Sequence, residues 1–562
     1  MSEVTVQTVA AKPRIRVPVV TSVAQNKILS ETAPKVFAAY GDSRFDAASM
    51  DKELRNWSPG VNSADADLLF EREQIDGRTL DLDRNDPIAH SGTETTVNNV
   101  IGTGLELGAD PDYETLGWDA DRAEAWSTDV ERKFNAWFYS KDIDASRKLT
   151  GPDILRLVVK EQFVRNDVVV LPWMHEKGGR MTPYGTSLMM VDSGRLSNPN
   201  GAMNSQNMRD GVEIDPVTGE PQFYHIQKAM QSDALFSLSF ETFQWEKIPA
   251  YTDWGYPKVL HLFDPDRVGQ NRGISKLVRI VSRLKKSDTY TKAELEAAVA
   301  NAVVAGIVQT PMDIEGLKEM FGGATNDKWF ETYQKLKAQH VVKLQMGAIL
   351  SLFPGEQFTS FNPARPNPQF GNFMESLTLQ VCAALGIPRE MLLKDFTKTT
   401  YSSARAAMLE AWRGFLATRA FVIRHFLDPV YAIWLEEAVN IGTVKAPGFY
   451  ENKAAYIRCK WVGQGMSSLD PEKDSTADLQ NIANGLDTYE NVLARRGLKW
   501  RRVIMQRAKE RKFILEQGLP DPSDNPQFLQ ANRLVDKKPD QTDPDAADRA
   551  ERQQQQQLQD AA

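Results

Sequence analysis

ISKLVRIVSRLKKSDTYTKAELEAAVANAVVAGIV, residues 274–308, holds no proline, and its one glycine, Gly306, falls at the end. Read as a single helix at 1.5 Å per residue it would span about 50 Å, more than a globular core requires. Its approach and first part carry Arg272, Lys276, Arg279, Arg283, Lys285, Lys286 and Lys292 against Asp288 alone, whereas Ala293 to Val308 is small and apolar, as expected where helices pack closely. A compact insert follows at 306–361. Ile307-Val308, Val341 to Leu344 and Ile349 to Phe353 read as strands there and Trp329 to Ala338 as a helix, giving a small α/β module at the tip of a stalk. Beyond Pro363 to Pro368 a helix from about Phe370 to Leu385 returns with Glu375 as its only charge, and Gly386-Ile387-Pro388 ends it.

Outward from this pair of helices the chain alternates in kind. Residues 389–403 are polar, short and loop-like. A second long helix is predicted over 404–440, where Met408, Trp412, Phe415, Leu416, Ile423, Phe426, Leu427, Val430 and Trp434 share a stripe at a 3.6-residue period, the mark of a core-facing surface. Pro429 predicts a kink between His425 and Pro429. From Asp470 to Gly518 the pattern is helical again, and Arg495 to Lys512 carries nine basic residues against Glu510. On the N-terminal side, 36–140 reads as helical with a loop at Trp57 to Gly60. Between 150 and 270 short β-rich runs alternate with turns: Val168 to Leu171, Leu188 to Val191, Phe223 to Ile226 and Val259 to Phe263, with Gly178-Gly179 and Asp215 to Gly219 as turns. The fold class is therefore α+β and mostly helical. Residues 1–35 and the Pro-, Asp- and Gln-rich end from 519 to 562 lack periodicity and are expected to be a flexible arm and a disordered tail.

Composition narrows the function. The 562 residues suggest several folding units, and 41% hydrophobic with 25% charged residues is ordinary globular usage. No apolar run reaches the roughly 18–20 residues needed to cross a bilayer, and no secretory signal is evident, so a cytoplasmic place of synthesis and no membrane partner are expected. Two cysteines, Cys382 and Cys459, cannot form a disulfide framework and read as reduced thiols. A formal net charge of -8 disfavours a protein that grips nucleic acid over its whole surface, although local basic stretches could still meet DNA. The six histidines include no i, i+4 pair, so no metal is expected, and no G-x-x-x-x-G-K-[ST] phosphate loop occurs. No cofactor is implied and no residue is nominated as catalytic. If the chain handles DNA, another protein supplies the energy.

The order of parts resembles the portal proteins of tailed bacteriophages, specifically the lambda-like portal family. The resemblance rests on several stretches in order: Leu82-Asp83-Arg84-Asn85-Asp86-Pro87-Ile88-Ala89 leading to Asn98-Asn99-Val100-Ile101-Gly102-Thr103-Gly104; Val259 to Arg267 with Gly269-Gln270-Asn271-Arg272-Gly273; Leu385-Gly386-Ile387-Pro388 with Tyr401-Ser402-Ser403-Ala404-Arg405-Ala406-Ala407; then Asp470 to Lys473 and Ala494 to Gly497. It covers about 80–530. It implies a homo-oligomeric ring, a dodecamer, at one capsid vertex of the virion, assembled in the host cytoplasm. Double-stranded DNA would be bound without sequence preference, packaged through the ring by a terminase motor and later ejected, and the ring would connect head to tail. The implied partners are the terminase large subunit, a head-tail adaptor, and the major capsid and scaffold proteins. In that layout 36–273 is the first part of the wing, 274–305 and 362–388 the two stem helices, 306–361 the clip, 389–403 the tunnel loop, 404–440 the kinked spine, and 441–518 the rest of the wing and the crown.

Candidate DNA-facing residues follow: Arg283, Lys285 and Lys286 on the stem; Lys394, Lys398, Thr399 and Thr400 on the tunnel loop; Arg495, Arg496, Lys499, Arg501 and Arg502 in the crown. For the stem residues, pairing with a neighbouring subunit's carboxylates is an equal alternative, for the loop residues simple solvation is the alternative, and for the crown a solvated helix face is. A gene transfer agent would use the same protein, and a DNA-processing packaging enzyme is the competing reading from another class. The near absence of charge on the returning helix suits sliding, because strong phosphate contacts add up and would hold DNA.

Overall fold

The computed structural model describes residues 56–57, 59–176, 178–230, 232, 243–303, 307–309, 331, 335, 357–359, 369–466 and 471–519. Two units are distinguished, Met1–Ser63 and Ala64–Ala562, and almost all described residues belong to the second. The expected arm at 1–35, the tail beyond 519 and most of the insert at 306–361, including its strands at 341–344 and 349–353, lie outside the described residues.

The described part opens with α1 (Arg72–Asn85) and α2 (Pro87–Val100). Asp86 starts α2 by accepting the Ile88 and Ala89 amides at 2.9 Å, with Pro87 fixing the first helical φ. The expected all-helical stretch to residue 140 is then interrupted by β1 (Leu105–Ala109), which pairs with β11 (Cys459–Gly463). That partner lies some 350 residues on, and its contribution cannot be read locally. α3 (Ala120–Phe138), capped by Asp119, buries Val130, Phe134, Trp137 and Phe138 at helical spacing, and α4 (Gly151–Val164) starts on a Thr150/Asp153 capping box.

Next come β2 (Val168–Met174) and β3 (Thr186–Val191), an antiparallel pair joined through the Gly178 turn as expected, with β8 (Leu260–Leu262) on the other edge of β2. Between them β4 (Met208–Arg209), β5 (Val212–Ile214), β6 (Pro221–Gln227) and β7 (Trp245–Pro249) form a second sheet in sequence order. The turn expected at 215–219 joins β5 to β6, where Gly219 at φ +77 takes a conformation that suits glycine.

The 35-residue helix expected at 274–308 is shorter in the structure. A 3₁₀ turn at Lys276–Arg279 precedes α5 (Val281–Val303). The cause is upstream. Arg272 is fully buried, and Gly273 lies so close to the Asn166 carbonyl that an added Cβ would sit 1.6 Å from its oxygen, so the backbone is pinned before a helix can start. β9 (Ile307–Gln309) pairs antiparallel with β10 (Gln357–Thr359), which brings the two ends of the insert together. α6 (Phe370–Leu385) returns and ends on Gly386 at φ +66.

A short helix, α7 (Arg389–Leu393), interrupts the stretch expected to be loop. α8 (Tyr401–Val422) begins three residues earlier than expected, because the Thr400 side chain caps it. Where the kink is expected the helix takes a π-helical turn at Ile423–Leu427, leading into α9 (Asp428–Asn440) with Pro429 in its first turn. Asp428, just after this turn, accepts from Trp461 Nε1 at 2.8 Å. Of the predicted stripe, Phe415, Phe426, Leu427, Val430 and Trp434 are buried and Trp412 is half-buried, but Leu416 is exposed. Trp434 meets Phe134 edge-on at 5.1 Å and stacks on Trp137 at 6.2 Å, so α3 and α9 share the main core. The last region is three helices, α10 (Pro471–Ala483), α11 (Tyr489–Arg495) and α12 (Trp500–Glu516). Both cysteines are free thiols, Cys382 buried and Cys459 half-buried.

Candidate functional site

The site is built from its root. Arg272 donates to Asp167 through Nε at 2.8 Å, to the Leu196 carbonyl at 2.8 Å, to the Ser193 carbonyl at 3.0 Å and to the Asp210 carbonyl. Asp167 also meets Arg72 at 3.2 Å and His261 Nε2 at 2.6 Å. Burial alone would raise the Asp167 carboxyl, but Arg272, His261 and Arg72 reverse this and hold it well below the usual range. Asp76, beside Arg72, goes the other way: burial outweighs the cation and pushes it up to about 6. The network ties α1, β2, β8 and the β4–β5 turn to the residue just before the 3₁₀ turn. By sequence Arg272 belongs with a basic helix face. In the structure it is a buried structural cation, and Lys276 and Arg279 pair with Asp264 at 2.9 Å and Asp266 at 2.6 Å.

α5 and α6 pack antiparallel. Arg283 Nε donates to Gln380 Oε1 at 2.9 Å, Ser287 faces Met374, and Tyr290 contacts the rings of Phe370 and Phe373. Leu277, Ile280 and Leu284 join Val381, Cys382, Ile387 and Leu392 in one apolar cluster at the base of the pair. Among the predicted stem residues Arg283 is thus held by α6. Lys285 is exposed and 3.9 Å from Asp288, and Lys286 is exposed with no carboxylate in reach among the described residues. Neighbouring positions on a helix are about 100° apart, so these two ammonium groups leave α5 in different directions, both away from the packed Leu284 and Ser287.

From α6 the chain passes into the loop region, which is docked on α2. Ser91 Oγ donates to the Leu392 carbonyl at 2.6 Å, and Gly92 leaves room for Leu385 and Leu392. Arg389 bridges Glu375 of α6 at 2.9 Å and Asp395 at 3.2 Å. Lys398 reaches the other oxygen of Glu375 at 3.5 Å. Thr399 donates to Glu390 at 2.9 Å, and Thr400 caps α8. Lys394, at φ +57, is exposed with no carboxylate in reach among the described residues. Lys394, Lys398 and Thr400 are thus exposed and Thr399 is half-buried against Glu390, and the structure adds Arg389 and Glu375, which sequence reasoning missed. A lone charge on an otherwise uncharged helix was the available signal for Glu375.

The candidates between Arg495 and Arg502 are placed differently: each has a carboxylate of its own chain. Arg495 pairs with Asp487, Arg496 with Asp478 at 2.7 Å, Lys499 with Glu131 at 2.6 Å, Arg501 with Glu124 at 3.4 Å and Arg502 with Glu106 at 3.7 Å. Lys499, Arg501 and Arg502 attach the first turn of α12 to β1 and α3.

A groove of about 800 Å³ lies elsewhere, between the end of β2, β7 and α9, lined by Trp173, Ile248, Trp254 and Tyr256. Of its three carboxylates, Glu436 is engaged by Lys453 and Glu437 by the Gly185 and Thr186 amides, and the third is Glu246. Among the described residues no group of three or more His, Cys, Asp or Glu side chains could hold a metal ion, and no helix is long and apolar enough to cross a membrane.

The family model described as phage portal protein, lambda family, matches residues 50–419. The chain is 27% identical over 487 residues to the portal protein of Escherichia phage N15, covering 84% of this chain and 90% of that one. It is likewise 27% identical over 488 residues to portal protein B of Escherichia phage lambda, covering 84% and 89%. Among solved structures, a chain from the neck of an empty GTA particle aligns with a TM-score of 0.45 at 14% identity, covering 75% of this chain and 93% of that one.

Proposed function

We infer, because this chain belongs to the lambda family of phage portal proteins, that its copies close into a ring, a dodecamer, at one capsid vertex of the virion and form a passive conduit for double-stranded DNA. A terminase motor drives the DNA in, the same channel releases it at ejection, and the ring joins head to tail through an adaptor. The described segments take the family's parts: 64–273 the wing, α5 and α6 the stem, 389–403 the tunnel loop, α8 and α9 the spine, α10 to α12 the crown. The observation that carries the reading is the antiparallel α5–α6 pair leading directly into an exposed, nearly neutral loop seated on α2.

Such a lining suits passage. Every phosphate contact makes binding tighter and more dependent on salt, so a conduit works best with few uncompensated cations. Lys285 and Lys286 on the stem and Lys394 and Lys398 on the loop are the candidates to meet phosphate. Because Lys285 and Lys286 diverge, one can serve a channel belt while the other faces a neighbouring copy. Arg495, Arg496 and Lys499 are held closely by Asp487, Asp478 and Glu131 and contribute less to DNA contact, whereas Arg501 and Arg502, in exposed pairs at 3.4 and 3.7 Å, and Arg283, whose partner Gln380 is neutral, stay open to phosphate. The role needs no catalytic residue. Negative-stain imaging of the purified chain tests it: closed rings with an open centre wide enough for a duplex are expected, and monomers, open chains or plugged rings would contradict it.

A further inference from the structure

We propose that Glu375 is a built-in counter-charge of the channel loop, a positioning carboxylate that occupies the loop's cations so that they release phosphate instead of retaining it. The proposal deepens the reading above and rests on residues 389–403 facing the duplex. Glu375 is the only charged residue of α6, and both of its oxygens are directed at the loop: Oε1 takes Arg389 at 2.9 Å and Oε2 takes Lys398 at 3.5 Å.

The two contacts differ in kind. The Arg389 side chain is 17% exposed and has a second carboxylate, Asp395, at 3.2 Å, which makes it a fixed tie between loop and helix. Lys398 is 66% exposed and has one long contact. An exposed single pair of this kind is close to neutral in free energy, so a passing phosphate can replace Glu375 and Glu375 can take the lysine back. Without Glu375, the segment 389–403 holds three cations, Arg389, Lys394 and Lys398, against two carboxylates, Glu390 and Asp395. Glu375 cancels the surplus. In a closed ring a surplus cation recurs in every copy, so a small imbalance becomes a continuous belt that would grip the duplex.

The test uses rings of the full chain and a short DNA duplex, with affinity measured by fluorescence anisotropy between 50 and 200 mM salt. Glu375→Gln should bind about fivefold or more tighter at the lowest salt. Its slope of log affinity against log salt should steepen by about 0.9 for each additional phosphate neutralised. Glu375→Asp should move back toward wild type, and adding Lys398→Gln to Glu375→Gln should remove most of the added affinity. A second comparison needs no change at Glu375: Lys394→Gln should lower the slope more than Lys398→Gln, because Lys398 is already partly neutralised. An unchanged slope in Glu375→Gln, or equal losses from the two lysine variants, overturns the counter-charge while leaving the loop at the DNA. If wild-type rings bind the duplex and no loop variant alters that binding, the loop does not face DNA and the reading beneath the proposal fails as well.

Discussion

Replacing Arg272 with methionine tests the buried network that precedes α5. The substitution keeps most of the side-chain volume and removes the guanidinium. Asp167, with none of its side chain exposed, would keep Arg72 and His261 but lose its main partner, and the carbonyls of Leu196, Ser193 and Asp210 would each lose a donor. Removing one member of a buried ion pair costs about 3–5 kcal/mol. Each orphaned carbonyl could add roughly 1–3 kcal/mol, but relaxation and protonation of Asp167 offset part of this, so about 4 kcal/mol is the working figure. At roughly 2–4 °C per kcal/mol for a large domain, the melting temperature should fall by about 8–16 °C. Thermal unfolding followed by tryptophan fluorescence reads this directly, because Trp137 and Trp434 lie in the core of the same unit. Arg279→Met is the control: its pair with Asp266 is exposed, and the change should cost less than about 1 kcal/mol. Equal effects from the two substitutions would refute the buried-network reasoning.

Gly273→Ala should reduce soluble, ring-competent protein sharply, since its Cβ would meet the Asn166 carbonyl oxygen; wild-type yield and melting temperature would show that the backbone yields at that point. Asp76→Asn should change the pH profile. With a folded value of about 6 against an ordinary 3.8, the stability tied to the Asp76 proton is fully present below pH 3.8 and is lost as pH rises through 6. The stability gap should therefore move in the variant's favour by up to about 3 kcal/mol between pH 4 and 7.5 in urea titrations, whereas a constant gap contradicts the assignment. Lys285→Gln together with Lys286→Gln should alter genome packaging or retention while leaving rings intact under the microscope, and unchanged packaging would remove the stem belt.

Much of this architecture is legible in the sequence because its signals are local. Pro87 after Asp86, Gly386 before Pro388, Pro429 at the start of α9 and the aromatic stripe through Trp434 each state a boundary or a buried face within a few residues. The helix at 274–308 is shorter than its periodicity suggests for a physical reason. Periodicity sees the apolar residues at 274, 277 and 280 but not the Asn166 carbonyl against Gly273, which comes from over 100 residues earlier. The pairing of β1 with β11 is hidden for the same reason. The candidate site is half legible. Exposed lysines such as Lys286 and Lys394 stand out as charges in a pattern, but pairing depends on tertiary contact. Nothing near Lys499 in sequence announces Glu131, and nothing near Lys398 announces Glu375.

A channel that runs past residue 394 is tested most directly by finding where the duplex lies. A photo-crosslinking amino acid placed at position 394 in DNA-filled particles should crosslink to the genome, while the same group at position 217, on an exposed turn of the second sheet, should not. DNA crosslinked from 217 and not from 394 would contradict it.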